Sequence, residues 1–272
     1  FMPVHLSSQS QIGLKVVTVV PDNSGRGLPT IQALVSVFDA ETGRPEAVMD
    51  GEVLTAIRTG AGSGVATAAL ARPDAAVAAV VGAGVQARRQ LEAVCCVRSI
   101  REALIFDADG EAALEFAAEM GEGLGIPVRV LHSVSGIREA DVVCTATSSN
   151  IPVFGNGDIA PGAHINAIGA YRPTTREIPG ETVARARLVV DSREACLAEA
   201  GDIVMAIKEG LVATDQPPAE LGEVLAGTAP GRGDAADITL FKSVGNAVQD
   251  LAAAGVVLAE AKRLGLGTEV SL

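Results

Sequence analysis

The stretch that most constrains this chain is Ala76 to Ala87, AVAAVVGAGVQA, an apolar run that ends abruptly in Gly82-Ala83-Gly84. Small and β-branched apolar residues suit a strand buried on both faces, and the glycines permit a tight turn that brings backbone N–H groups close to an anion. Val85 to Val97 then carries helical spacing, at Val85, Leu91 and Val94 or Cys95, so a helix begins where a pyrophosphate could rest on its N-terminal dipole. Strand, turn and helix, with Ala87 in the third small-residue position, form the dinucleotide-binding pattern, with Gly82 and Gly84 as its cofactor-facing residues. A glycine-rich turn with a purely structural role is the bland alternative.

A chain of 272 residues can bury a substantial core, as one large α/β domain or two modest ones. Its net charge of −12 argues against wrapping a nucleic acid and still allows a local basic pocket for a small anion. Cys95, Cys96, Cys144 and Cys196 have neither zinc-ligand spacing nor a disulfide framework and read as reduced thiols of a cytosolic protein. No apolar run approaches the roughly 18 residues of a membrane span and no basic leader opens the chain, so no membrane role is expected. His5, His132 and His164 are too scattered for a metal site. With neither a Gly-x-Ser-x-Gly elbow nor a Walker A sequence, hydrolysis and phosphoryl transfer lose ground.

Along the chain, Lys15 to Val20, Thr30 to Asp39 and Glu46 to Met49 read as strands of a first β-meander. Asp50 caps a helix over Glu52 to Ala71 whose apolar face is expected at Val53, Ile57, Ala61, Val65 and Ala69. Gly60, Gly62 and Gly64 in that helix each cost about 1 kcal/mol relative to Ala, so another helix, a cofactor or a substrate must approach the backbone there. Strands then alternate with helices. Ala76–Val81, Ala103–Phe106, Val128–Leu131, Asp141–Ala146, Ala163–Gly169 and Arg187–Asp191 predict a six-stranded, doubly wound parallel sheet, to which Ile238–Phe241 could add one more. A last helix, about Asn246 to Leu264, turns Val248, Leu251, Gly255 and Leu258 to one side.

In such a sheet ligands lie beyond the carboxyl ends of the strands. Asp107 stands where a carboxylate accepts hydrogen bonds from the adenosine ribose, with no Arg directly after it for a 2′-phosphate, which points to NAD over NADP, or it is a solvated aspartate in a turn. Thr147-Ser148-Ser149 is small enough to pass beneath a ribose or is a simple turn. Tyr171, the one tyrosine, either donates a proton at the reacting centre or only packs. Lys15 and Arg58 are cations in apolar or small-residue surroundings, suited to a substrate carboxylate or simply solvated.

Lys15, Gly27-Leu28-Pro29-Thr30, AVMDGEVLTAIRTGAGSGVAT, VVGAGVQA, INAIGAYRPTTRE, VVDSREA and ITLFKSVGNAVQDL together resemble the ornithine cyclodeaminase/μ-crystallin family over nearly the whole chain. The resemblance implies a Rossmann domain, residues 73–244, plus a smaller α+β substrate and dimerisation domain from residues 1–72 and 245–272, in a homodimer. It implies that Lys15 and Arg58 hold the substrate carboxylate and that Val244 lies beside the substrate. Thr30, Val85, Gln86, Asp107, Thr147, the turn Ile168-Gly169-Ala170-Tyr171, Arg176 and Ser243 match cofactor contacts. Cyclodeaminases of the family carry an aspartate where Tyr171 stands. RPTTRE and Lys242 in FKSVG look more like the μ-crystallin or ketimine reductase side, which often prefers NADPH, whereas Asp107-Ala108-Asp109 resembles NAD-using members. Family members also carry a further N-terminal segment that supplies another substrate-binding arginine. The chain begins at Phe1 without it, and the expectations are that it was cut away, is disordered, or is replaced by a pocket formed differently.

The resulting expectation is an NAD(P)H-dependent reductase of imino acids, of ketimine or Δ1-pyrroline-2-carboxylate type, or the reverse amino-acid dehydrogenase. NAD is the expected cofactor, with NADP as the alternative, and Lys15, Tyr171 or water protonates the nitrogen. The alternatives are an ornithine cyclodeaminase using NAD catalytically and a weakly catalytic, crystallin-like NAD(P)H-binding protein.

Overall fold

Period-two alternation at the N-terminal end produces four antiparallel strands, β1 (Met2–Leu6), β2 (Gln11–Val19), β3 (Ile31–Asp39) and β4 (Pro45–Asp50), paired in that order. The computed structural model describes residues 1–271. β1 is an addition to the expected meander. Its signal was in the sequence, because half-buried Met2, Val4 and Leu6 alternate with exposed Pro3 and His5, and proline is tolerated on an edge strand.

Helix α1 (Gly51–Leu70) follows, with Asp50 Oδ1 accepting hydrogen bonds from the N–H groups of Glu52 and Val53. Its inward face is not the one expected. Val53, Ile57 and Val65 are 52, 50 and 43% exposed, while Leu54, Ser63, Ala66, Thr67 and Leu70 are buried. The reason lies in the glycines. A Cβ on Gly60 would stand 2.5 Å from the carbonyl oxygen of Arg89, and one on Gly64 would stand 3.2 Å from Ala93. A neighbouring helix therefore occupies the space, and small residues rather than bulky apolar ones choose the packed face.

Two compact units divide the chain: Phe1–Arg58 with the chain from Asn246 onward, and Thr59–Gly245. The second is built on eight parallel strands, β5 (Val77–Val81), β6 (Glu102–Phe106), β7 (Val128–Val130), β8 (Val142–Thr145), β9 (His164–Ala167), β10 (Arg187–Val190), β11 (Ala219–Glu220) and β12 (Thr239–Lys242). Their order is β11-β10-β12-β9-β8-β5-β6-β7. The six expected strands are present. β12 joins them between β9 and β10, and short β11 takes the edge. Ala79 and Val81 face one buried cluster with Leu104, Val143 and Ile165, and Ala78 and Val80 face another with Leu91, Ile105 and Phe116, so helices cover both sides of the sheet.

Those helices are α2 (Val85–Val97), α3 (Gly110–Leu124), α4 (Gly180–Arg185), α5 (Arg193–Glu199), α6 (Gly201–Lys208) and α7 (Leu221–Leu225). The last, α8 (Ala247–Leu264), belongs to the first unit and supplies Leu251, Ala254 and Leu258 to its core beside Val35, Val37 and Leu54. Val248, expected on that inward side, is 47% exposed, and Asp250 is buried instead.

Candidate active site

The register of the parallel sheet lines up one row of residues at its carboxyl edge. Phe106 pairs with Val81, Val81 with Thr145, Thr145 with Ala167, Ala167 with Lys242 and Lys242 with Val190. Just beyond that row lie Asp107, Gly82, Thr147, Ile168, Gly169, Ser243 and Asp191. Residues far apart in sequence thus meet on one edge because strand ends do.

At the glycine turn, Gly82 adopts φ +102°, and a Cβ there would stand 2.6 Å from the carbonyl oxygen of Ala146. The N–H of Ala83 donates to Asp107 Oδ2 at 2.7 Å, so Asp107 seats the turn as well as standing at the end of β6. Gly84 precedes α2, whose N-terminus has no side-chain cap, and a Cβ on Gly84 would meet nothing within 4 Å. Val85 is exposed, Ala87 is fully buried, and Gln86 keeps a buried Oε1 without a hydrogen-bond partner. An uncapped helix end, open space over Gly84 and a carboxylate alongside fit a dinucleotide. Arg88, which the sequence reading passed over, donates to the carbonyls of Ala83 and Gly84 from the same helix.

Next along the edge, Thr145, Thr147 and Gly169 all donate to one carboxylate, that of fully buried Glu177. Burial pushes the Glu177 carboxyl above the usual carboxylate range, and Lys242 pulls against that shift. Ala170 is buried, whereas Tyr171 is 44% exposed and carries the Arg172 guanidinium 5.3 Å from its ring centroid. Arg176 pairs with Glu209 through contacts of 2.8 and 2.9 Å. Ser243 donates to Asp191 at 2.7 Å, and the N–H groups of Val244 and Gly245 donate to the same carboxylate.

The first unit holds the other predicted residues. Exposed Thr30 accepts a backbone bond from Val20. Lys15 on β2 and Arg58 on α1, 4 and 8% exposed, converge on Asp250, which is 2% exposed. Asp250 Oδ1 accepts Lys15 Nζ at 3.1 Å and Arg58 Nε at 3.0 Å, while Arg58 Nη1 donates to Gln249 Oε1 at 2.7 Å. Asp250 Oδ2 is buried with no hydrogen-bond partner. Burial is the main cause that lowers the Lys15 pKa, Arg58 lowers it too, and Asp250 opposes both. Two cations against one anion leave a surplus positive charge, the condition for holding one carboxylate. Asp250 and Gln249 were missed in the sequence. The available signal was a charged residue inside the buried α8 stripe.

Among the described residues no three His, Cys, Asp or Glu side chains are grouped to hold a metal, and no helix is long and apolar enough to cross a membrane.

The family model of the ornithine cyclodeaminase/mu-crystallin family matches residues 1–264. The chain belongs to this family. A Δ1-pyrroline-2-carboxylate reductase of Bacillus cereus is 41% identical over 271 residues, which is 99% of this chain and 83% of that protein. The structure of Thermococcus litoralis Δ1-pyrroline-2-carboxylate reductase in complex with NADH and L-proline superposes with a TM-score of 0.92 at 40% identity, covering 99% of this chain and 88% of that one. An archaeal alanine dehydrogenase dimer with bound NAD gives 0.93 at 38% identity, covering 99 and 83%.

Proposed function

We propose that this family member is an NADH-dependent reductase of Δ1-pyrroline-2-carboxylate or a closely similar imino acid, with the reverse oxidation of the amino acid as the same chemistry run backwards. The observation that carries the reading is the Lys15–Arg58–Asp250 cluster, a buried site with one positive charge in excess. Support comes from relatives 41 and 40% identical, the second of them solved with NADH and L-proline. In this reading Arg58 and Lys15 hold the carboxylate next to the C=N bond and so orient its carbon. Gly82, Gly84, Val85, Gln86, Asp107, Thr147, Ile168, Gly169, Ala170, Arg176 and Ser243 would hold the cofactor. Bound nicotinamide supplies the hydride. The nitrogen needs one proton, and Lys15, its ammonium made more acidic by burial and by Arg58, is suited to give it. Tyr171, exposed and stacked with Arg172, is the second candidate. Asp107 at the end of β6 favours NADH, since a carboxylate repels a 2′-phosphate.

In this reading the first unit binds substrate and joins a homodimer, for which the exposed apolar residues Val53 and Ile57 offer a surface. Light scattering on Ile57→Asp tests this, with a shift from dimer to monomer expected and an unchanged mass refuting that use of the surface. Four unpaired cysteines suit a reducing cytoplasm. Two assays decide the reaction: NADH oxidation with Δ1-pyrroline-2-carboxylate, and ammonia release from ornithine with NAD. Turnover in the first supports the proposal. Ammonia and proline from ornithine with no net change in NADH would replace it by cyclodeamination, and tight NADH binding with no turnover in either would leave a binding protein.

A further inference from the structure

Glu177, Asp202 and Lys242 are three charged side chains with no solvent exposure, gathered at the carboxyl edge of the parallel sheet. Lys242 ends β12, Asp202 lies in the first turn of α6, and Glu177 closes the excursion that follows β9. Lys242 Nζ lies 2.9 Å from Asp202 Oδ2, and Asp202 Oδ1 accepts the N–H groups of Glu177 and Ile178 at 2.7 and 2.9 Å. Asp202 therefore fixes the backbone that carries Glu177. Buried charges are costly, and apolar residues of equal volume are often as stable or more so. A core that only needed filling would not require them.

What the Glu177 carboxylate does is join two neighbouring strand ends. The N–H of Thr147 donates to Oε1 at 2.6 Å, while Thr145 Oγ1 and the N–H of Gly169 donate to Oε2 at 2.9 and 2.7 Å. Thr145 and Ala167 are the last ladder pair between β8 and β9; Ile168 N–H still donates to the Thr145 carbonyl and Ala146 N–H to that of Val81, and the next N–H groups, those of Thr147 and Gly169, have no partner across the sheet. One carboxylate replaces those partners on both strands. The fit is close, since a Cβ on Gly169 would stand 2.3 Å from the carbonyl oxygen of Thr147 and 2.5 Å from Glu177 Oε1. All three contacts are donors, as an ionised carboxylate requires.

We propose that Glu177 is a positioning residue for the cofactor: it fixes Thr147 and the Ile168–Ala170 turn in the one arrangement that receives the nicotinamide half of NADH. The Lys242–Asp202 pair holds Glu177 in place. This rests on the cofactor reading of the carboxyl edge and does not depend on which imino acid is reduced.

The test uses the full chain with Glu177→Gln, whose amide would point N–H groups at N–H donors, and with Glu177→Asp. Three readouts are taken: the NADH dissociation constant by fluorescence titration, backbone hydrogen exchange over residues 142–149 and 164–171 without cofactor, and KM for Δ1-pyrroline-2-carboxylate. For Glu177→Gln, NADH binding weakens about tenfold, exchange accelerates in both segments, and the imino-acid KM stays within about twofold. Glu177→Asp recovers part of the NADH affinity. Thr145→Val removes one donor without unpairing a charge, and gives a smaller loss in the same direction should Glu177→Gln fail to fold. Unchanged NADH affinity and exchange in a folded Glu177→Gln, or in Thr145→Val where that variant must serve, overturns the proposal. If the substrate reading is wrong, wild type shows no imino-acid turnover, yet the titration and the exchange still report on Glu177.

Discussion

Each unit buries one cluster of three charges, and the two clusters are opposites. In the first, Lys15 and Arg58 share one oxygen of Asp250, whose other oxygen has no partner. In the second, Lys242 Nζ lies 2.9 Å from Asp202 Oδ2 with neither atom in a hydrogen bond, and both oxygens of Glu177 are taken by the chain's own donors. Surplus positive charge marks a place prepared for an anion to bind. Charge consumed by backbone donors marks a place where the protein holds its own shape. Ion-pair distances are similar in the two and both keep unpaired polar atoms, so the difference lies in the sign of the surplus charge and in the backbone donors that the Glu177 carboxylate binds.

The sharpest way to break this comparison is to remove one partner from each cluster. Asp250→Ala leaves two buried cations facing each other, and Lys242→Met leaves two buried anions, each at a cost of about 3–5 kcal/mol in urea unfolding. Pyrrole-2-carboxylate, a planar carboxylate with no reducible C=N bond, should restore part of the loss in Asp250→Ala and none in Lys242→Met. Equal rescue of both, or of neither, would remove the distinction.

A buried group kept neutral supplies the control. His164, fully buried between Thr239 Oγ1 at 2.9 Å and Asn166 Oδ1 at 3.1 Å, has its pKa pushed down to about 3, chiefly by burial. Because the folded state resists protonation, the unfolded chain binds more protons below pH 6.5, and stability falls as pH falls through that window. The slope from this one residue is about 1.4 kcal/mol per pH unit, and it should disappear in His164→Gln. Denaturant titrations from pH 7 to 4 measure it, and an equal slope in the variant would contradict it.

Lys15 gives the smallest effect. Its folded pKa lies below 10.5, so between that lowered value and 10.5 the native state binds fewer protons than the unfolded chain, and stability rises with pH. Carboxylate affinity moves the opposite way, because the ammonium is lost. KM for the imino acid should rise on the alkaline side within wild type, and Lys15→Arg should shift that rise to higher pH. A flat KM in wild type up to pH 10 would remove Lys15 from the anchor.

The sequence made the strand–turn–helix at Gly82 legible because a buried strand and a glycine turn are written in adjacent residues. Lys15 and Arg58 stood out as cations amid small and apolar neighbours. β1 was readable in the alternation of Met2, Val4 and Leu6. The packed face of α1 was not, because Gly60 and Gly64 select it by backbone approach while the bulkier Val53 and Ile57 face outward. Strand order is a long-range property, so nothing local placed β12 between β9 and β10. Nothing local in the sequence marked Glu177, Asp202 and Lys242 as a buried cluster, because charged side chains are rarely buried unless paired and the pairing appears only once strand ends meet. Asp250 lay between these cases, detectable only from its place beside Leu251 in a buried helical stripe.

The central claim, that the surplus charge of the first cluster is the anchor for an imino-acid carboxylate, is tested most directly by steady-state kinetics of Arg58→Ala with Δ1-pyrroline-2-carboxylate and NADH. Losing a charge-assisted contact should raise KM for the imino acid about 30-fold while the NADH dissociation constant stays within about twofold. An unchanged KM in a folded, active variant would contradict the account.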